Sequence, residues 1–415
     1  MKTVLILLDA FRHDYLSKDN TPFLYSLSKK SVYIKRIMPS YGFCERTEIL
    51  TGLNSKQSGF FTAIGYDPDN SEYRNIKLLY LAGVFEKFLP RTYIYKTNSL
   101  RSLYRRFVIK YLLRKENLKM RAYEIPFSLL KYFNLTEDLK DHREVGAFTS
   151  ESIFDILNHK NKECYYESFT ALGLADNGDD NNRLELALNN ATNTNCELYL
   201  VYNSVPDSLG HKFGVNSIQL TKGLNMLDNT ISKFTNSFIK LCPNTKFIFL
   251  GDHGMTNVIS KINAEKEIFK IAKAHNLKLN KDYIYFLDST IVRLWFISLK
   301  SAEVLKGGMV KSSLFLNNGS FVDKPYADRN NIPFGDNRYG DLIWLANEGI
   351  LISPDFFHSN INPLPKGMHG YNPGLESSQG FSITYNSIQE NNKTNIFEKK
   401  ELTYIYDILK ESIKS

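Results

Sequence analysis

The feature that most constrains this chain is a set of short, largely apolar runs at residues 3–8, 197–202 and 246–250, each ending at a polar, Gly- or Pro-containing turn. Runs that stay apolar at successive positions suit strands covered on both faces, the pattern of a parallel sheet between helix layers. The predicted fold class is therefore α/β, with a central, mostly parallel sheet flanked by helices. Ligands of such sheets sit beyond the carboxyl ends of the strands. The three runs end at Asp9, at the segment holding Asp207 and at Asp252, so acids gather where the fold places a site.

Residues 66–195 lack this rhythm and carry long amphipathic stretches at 78–88 and 100–118. They read as an inserted, mainly helical cap, leaving 1–65 and 196–415 as the core. A length of 415 residues accommodates both, because single cores stop growing at roughly 250–300 residues. A smaller insertion is expected within 256–345, at about 270–335, where 283–287 and 291–298 suit a hairpin. Between Lys87 and Arg121 the cations Arg91, Lys96, Arg101, Arg105, Arg106, Lys110, Arg114, Lys115 and Lys119 far outnumber acids and alternate with Tyr, Phe and Leu. Such a run suits a solvated helix face, or a face for a membrane surface or acidic substrate.

The net charge of +8 favours anionic partners without choosing among phosphate esters, nucleotides, glycans and membranes. A Lys-rich surface accounts for it equally well. Disorder is excluded by 43% hydrophobic against 23% charged residues. The apolar opening is too short to cross a bilayer and closes on Asp9 rather than on a small-residue cleavage site. It reads as a core strand, and the chain as cytoplasmic, without a transmembrane segment and with at most peripheral membrane contact. Cys44, Cys164, Cys196 and Cys242 are widely spaced with no Cys-x-x-Cys pair, which argues against a disulfide framework or a thiolate zinc site. No RNP, helix-turn-helix or zinc-finger pattern is present, so nucleic-acid binding is not expected.

Four segments carry metal-ligand chemistry. Gly251-Asp252-His253-Gly254 follows a strand and lets a carboxylate and an imidazole reach one cation while the backbone stays close. Asp207 and His211 are four apart, so one helical turn presents both on one face. His369 lies between glycines in a loop, and Asp9 completes the set at the end of the first strand. Three acids and three histidines form two cation sites with nitrogen and oxygen ligands, suited to zinc, with manganese or iron as alternatives.

The order Asp, Asp-x-x-x-His, Asp-His, His-Gly resembles the type I phosphodiesterase and nucleotide pyrophosphatase branch of the alkaline phosphatase superfamily. The resemblance extends through 8–16, Thr21-Pro22-Phe23-Leu24, Thr51-Gly52-Leu53, Tyr339-Gly340-Asp341-Leu342 and Glu348-Gly349, and only about 66–195 lacks a counterpart. It implies an alkaline phosphatase-like fold, with Asp9, Asp252 and His253 on one metal and Asp207, His211 and His369 on the other. It also implies in-line displacement at phosphorus between two cations about 4 Å apart.

The sequence departs from this family at the nucleophile. Members carry a Thr, Ser or modified Cys nine residues before the Thr of the Thr-Gly pair, and counting back from Thr51 reaches Gly42. Cys44, Ser40 and the absence of any protein nucleophile stand as alternatives, with Thr47 behind them. Arg46 falls where the sulfatase branch has an arginine and would clamp an anionic oxygen. Glu45 replaces a phosphoryl-binding Asn and would bind metal, pair with Arg46 or serve as a base. The expected activity is hydrolysis of a small phosphate ester, of phosphodiesterase or pyrophosphatase type. Transfer of a phospho-group to a glycan or lipid-linked acceptor is the alternative, and an inactive, metal-containing anion-binding protein the second.

Overall fold

The apolar runs become the middle of a seven-stranded sheet. The protein, a computed structural model describing residues 1–89, 100–114, 116, 118–167, 180–358, 363–388 and 395–414, is α/β as predicted. The sheet contains β1 (Lys2–Leu8), β2 (Val32–Met38), β3 (Cys164–Tyr166), β4 (Leu198–Asn203), β5 (Thr245–Gly251), β6 (Gly380–Asn386) and β7 (Ile396–Glu401), in the order β7-β2-β6-β5-β1-β4-β3. Neighbours are parallel except around β6, which runs antiparallel to β5 and β2. Leu8 pairs with Asn203 and Leu7 with Leu250, so the carboxyl ends of β4, β1 and β5 finish side by side. That common edge carries the site.

Helices flank this sheet where apolar spacing demands. Of those used below, α1 is Glu45–Thr51, α2 is Val205–Phe213 and α3 is Ile218–Leu241. Leu220, Leu224, Leu227, Ile231, Phe234 and Phe238 recur along α3 at three- and four-residue intervals and enter one core with Val4, Ile6, Tyr199, Phe247 and Phe249. Each such side chain contributes about 1.5–3 kcal/mol by leaving water. The Ser217 hydroxyl starts α3 by accepting from Leu220 N at 3.2 Å. Asp228 accepts the amides of Phe23 and Leu24 at 2.8 and 2.9 Å, which anchors the Thr21-Pro22-Phe23-Leu24 motif at the start of helix Pro22–Ser28.

The chain forms two compact units. One compact unit comprises Met1–Ser58, Lys140–Asn257 and Pro365–Ser415, the other Gly59–Leu139 and Val258–Leu364. Residues 140–195 fall with the sheet because β3 pairs beside β4 and helix Asp180–Asn193 packs Leu184, Ala187 and Ala191 into its core. A three-residue strand is too short to show a period, which is why this segment reads as cap in the sequence. Residues 59–139 group with 258–364.

In this second unit Tyr283–Leu287 and Ile291–Phe296 form the expected hairpin, extended by Leu342–Ala346 and Gly319–Phe321. Its helices include Lys77–Glu86 and Leu100–Val108, the latter continuing into a π-helical turn, Ile109–Leu113. Two cations of the basic run are interior: Arg101 Nη2 donates to Glu86 Oε1 at 2.6 Å and Arg105 Nη1 donates to the same oxygen. Arg91, Lys96 and Lys115 lie outside the described residues. No described helix is long and apolar enough to cross a membrane.

Candidate metal centre

Five of the six predicted ligands follow the carboxyl ends of β1, β4 and β5, and His369 joins them from a separate two-stranded ribbon. Asp9 follows β1, and the next residue, Ala10, takes a φ of 55°, a left-handed conformation uncommon for a residue with a Cβ. This turn points Ala10 N at Asp252 Oδ1, 3.2 Å away. Asp252 and His253 follow β5, flanked by glycines that cannot be larger: a Cβ on Gly251 would lie 2.2 Å from Phe11 O, and one on Gly254 2.2 Å from Ser377 O. Asp207 and His211 occupy one face of α2. His369 follows the short strand Gly367–Met368, which is held antiparallel to Thr256–Asn257.

The side chains assemble as two triads, Asp9/Asp252/His253 and Asp207/His211/His369, with the candidate ligand atoms of each within 4.8 Å of one another. The triads adjoin. The His253 and His369 rings stack with centroids 4.3 Å apart, and His211 lies 5.2 Å from His369.

The protonation pattern fits cations. His211 Nδ1 lies 2.8 Å from Gly367 O and His253 Nδ1 3.0 Å from Gly254 O. A carbonyl oxygen only accepts, so Nδ1 carries the hydrogen in both rings and Nε2 of the neutral ring is a lone pair. Those Nε2 atoms face carboxylates: His211 lies 3.1 Å from Asp207 Oδ1, and His253 3.3 Å from Asp9 Oδ1 and 3.9 Å from Asp252 Oδ2. His369 Nε2 lies 3.6 Å from the same Asp207 oxygen, which is buried and makes no hydrogen bond. Lone pairs converging on anions at such distances call for positive charge between them, a proton on each ring or a shared cation. The donor set of carboxylate oxygens and imidazole nitrogens is that of a zinc or manganese site.

The electrostatics repeat the point. Burial first, with Asp9 and Glu45 adding to it, pushes Asp252 up to about 8 despite His253. His211 and His253 are raised although burial opposes it, chiefly by Asp207 and Asp252 respectively. Burial would raise Asp207 too, but the neighbouring imidazoles, His211 foremost, bring it down. Anions packed this closely out of water are stable only with compensating cations.

The loop entering α1 borders this centre. Phe43 packs edge-on to His369 with centroids 5.7 Å apart, and the Glu45 carboxylate acts electrostatically on both Asp252 and His253. Cys44 sits between them as the buried N-cap residue of α1, while Arg46 and Thr47 are buried in its first turn. Ser40 is engaged elsewhere: its backbone N–H donates to Glu48 Oε1 at 2.9 Å and its side chain bonds the same carboxyl group. Gly42 adopts a φ of 106°, a conformation open to glycine and strained for other residues. Sequence reasoning missed Tyr202, whose buried hydroxyl donates to Asp9 Oδ2. Its only signal is position, one residue before the end of β4.

A mostly parallel sheet whose central strands deliver two His/Asp triads to one edge is the architecture of the alkaline phosphatase superfamily. The family model for type I phosphodiesterase/nucleotide pyrophosphatase matches residues 3–372, and the chain belongs to that family. Among solved structures it is similar to human ectonucleotide pyrophosphatase/phosphodiesterase 5, with a TM-score of 0.67 and 17% identity, covering 100% of this chain and 95% of that one. An inactive variant of the murine protein, in complex with AMP, gives a TM-score of 0.66 and 16% identity over the same shares. These likenesses establish the fold. No curated protein matches the sequence.

Proposed function

We propose that this chain is a two-metal phosphoesterase that hydrolyses a phosphodiester or pyrophosphate link in a small anionic substrate of the nucleotide kind. The observation that carries the reading is the pairing of two triads whose imidazoles stack at 4.3 Å. Asp9, Asp252 and His253 would hold one divalent cation, and Asp207, His211 and His369 the other, with zinc suiting the donors best. When bound, such a pair polarises the phosphoryl group and stabilises the attacking and leaving oxygens. The Gly367 and Gly254 carbonyls keep Nε2 of His211 and His253 directed at the centre. Tyr202 orients Asp9, and Phe43 shields the His369 side from water.

Attack by water, without a covalent protein intermediate, is the route these residues support. Gly42 has no side chain and Ser40 is committed to Glu48, while Glu45 stands beside the centre as the group able to accept the proton of an attacking hydroxyl. The test is release of nitrophenol from bis-(nitrophenyl) phosphate by chelator-treated protein resupplied with zinc or manganese. Cys44→Ala should retain activity within about tenfold, whereas loss near the 10⁶-fold seen on deleting a nucleophile would assign attack to Cys44. Metal-loaded, folded protein inert toward every phosphate and sulfate ester would reject the enzymatic reading and favour anion binding. Product that changes when a hydroxyl acceptor is added would instead favour transfer, the reading that the altered nucleophile segment and the basic, aromatic stretch motivate.

A further inference from the structure

Two helices of the second unit turn large apolar side chains to water. Lys77–Glu86 buries Leu79, Ala82, Gly83 and Glu86 and leaves Leu78, Leu81 and Phe85 outside, Phe85 being 64% exposed and Phe88, just beyond, 79%. Leu100–Val108 goes further. Its inner side holds Arg101, Ser102 and Arg105 with Val108, while Leu100 is 75% and Phe107 60% exposed. The polar inner side is satisfied by Glu86, which takes Arg101 and Arg105 on Oε1 and accepts Phe127 N on Oε2 at 2.7 Å. The apolar side chains are therefore not outside for want of an interior. In water each exposed Leu or Phe forgoes about 1.5–3 kcal/mol of burial, and large apolar side chains turned to water in number mark an interface.

Charge selects the occupant. Glu86 is the only acid in the sequence from Lys77 to Arg114, and it is buried, so among the described residues every exposed charge on this stretch is positive: Lys77, Lys87, Arg106, Lys110 and Arg114. A second copy docking through the same face would set these cations against their own images, with no acid on the stretch to answer them. A layer of anionic lipid offers hydrocarbon and negative headgroups in one plane, and Lys and Arg stems are long enough to reach headgroups while Phe and Leu enter the acyl boundary. We infer that the face formed by Lys77–Glu86 and Leu100–Val108, continued by Ile109–Leu113, docks the protein peripherally on an anionic membrane. The inference is independent of the chemistry proposed for the metal centre.

The experiment is co-sedimentation of the full chain with vesicles of phosphatidylcholine alone or mixed with phosphatidylglycerol. The wild type should pellet with the mixed vesicles and not with the neutral ones, and salt should release it. Phe85→Ser/Phe107→Ser and Lys87→Glu/Lys110→Glu should each remain in the supernatant with unchanged unfolding midpoints, since all four side chains are exposed. Each cation lost should lower partition about fivefold. A wild type that ignores both vesicles, or pairs of variants that pellet as it does, overturns the inference. A dimer mass by light scattering that both variants reduce to a monomer would also overturn it, giving the face to a second copy.

Discussion

Asp252→Asn should stabilise the metal-free protein and destabilise the metal-loaded one, an inversion that an ordinary buried residue would not show. Asp9 and Asp252 offer carboxylate oxygens within 4.8 Å of each other. Two unit charges at that separation repel by about 3–4 kcal/mol at an effective dielectric constant near 20. Asparagine removes the charge but keeps an oxygen able to accept from Ala10 N and His253 N, as Asp252 Oδ1 does at 3.2 and 2.9 Å. His253 offsets part of the repulsion in the wild type, so about 1–2 kcal/mol of the Coulombic cost should be regained in chelator. With zinc, wild-type protein at a free-ion concentration about 100 times its Kd gains about 2.7 kcal/mol, most of which the variant forgoes. The assay is thermal unfolding of both proteins with chelator and with zinc, above pH 8 because burial pushes Asp252 up to about 8, with ester hydrolysis followed in parallel. For a cooperative unit of this size each kcal/mol moves Tm by about 2–4 °C. The reasoning fails if Asp252→Asn melts lower than wild type in chelator, or if zinc leaves the wild-type Tm unmoved.

Further consequences are open to simpler measurement. Gly42→Thr places a hydroxyl where the family has its nucleophile, yet the φ of 106° should cost about 1–2 kcal/mol in urea unfolding with no gain in ester hydrolysis; a large gain would show that the loop can be re-routed to a family-like nucleophile. Tyr202→Phe deletes the hydrogen bond to Asp9 Oδ2 and should weaken zinc binding about 10- to 100-fold by competition with a chelating dye, the usual effect of losing a group that orients a ligand. Glu86 is held below its usual 4.5, since Arg105 and Arg101 outweigh the opposing effect of burial. A folded pKa below the unfolded one gives stability that is present above about 4.5 and lost as pH falls through the folded value. Glu86→Gln should flatten this acid limb of the Tm profile while costing about 3–5 kcal/mol at neutral pH, because two buried guanidinium groups lose their anion. An unchanged acid limb would mean that Glu86 is not the titrating group.

The parts of the fold and site that the sequence disclosed are those written in local rules. The runs ending at Asp9 and Asp252 became adjacent parallel strands because side chains apolar on both faces have no other soluble arrangement. Asp207 and His211 could be paired from their spacing because the helix repeat alone puts them on one face. The glycines around Asp252 and His253 announced close backbone approach, which Phe11 O and Ser377 O supply. What stayed hidden depends on partners far along the chain. β3 shows no period in three residues and exists because β4 offers it an edge. Arg101 and Arg105 looked like surface cations, since nothing near them in sequence announces that Glu86 turns inward.

The loop at 40–45 is the instructive case, because there a family pattern and a local rule conflict. The pattern asks for a hydroxyl or thiol at position 42. Glycine there instead permits the backbone to turn with φ at 106°, and this turn leads into Phe43 against His369, Cys44 as N-cap and Glu45 beside Asp252 and His253. Losing a side chain at 42 is thus accompanied by gaining an acid at the rim of the same centre. A negative side chain facing a buried anion cluster is costly in a protein that only needs to hold phosphate. It becomes favourable where cations are bound and a proton must be taken from an attacking hydroxyl. Gly42 and Glu45 therefore belong together in the direct displacement proposed above, which ester hydrolysis by Cys44→Ala tests.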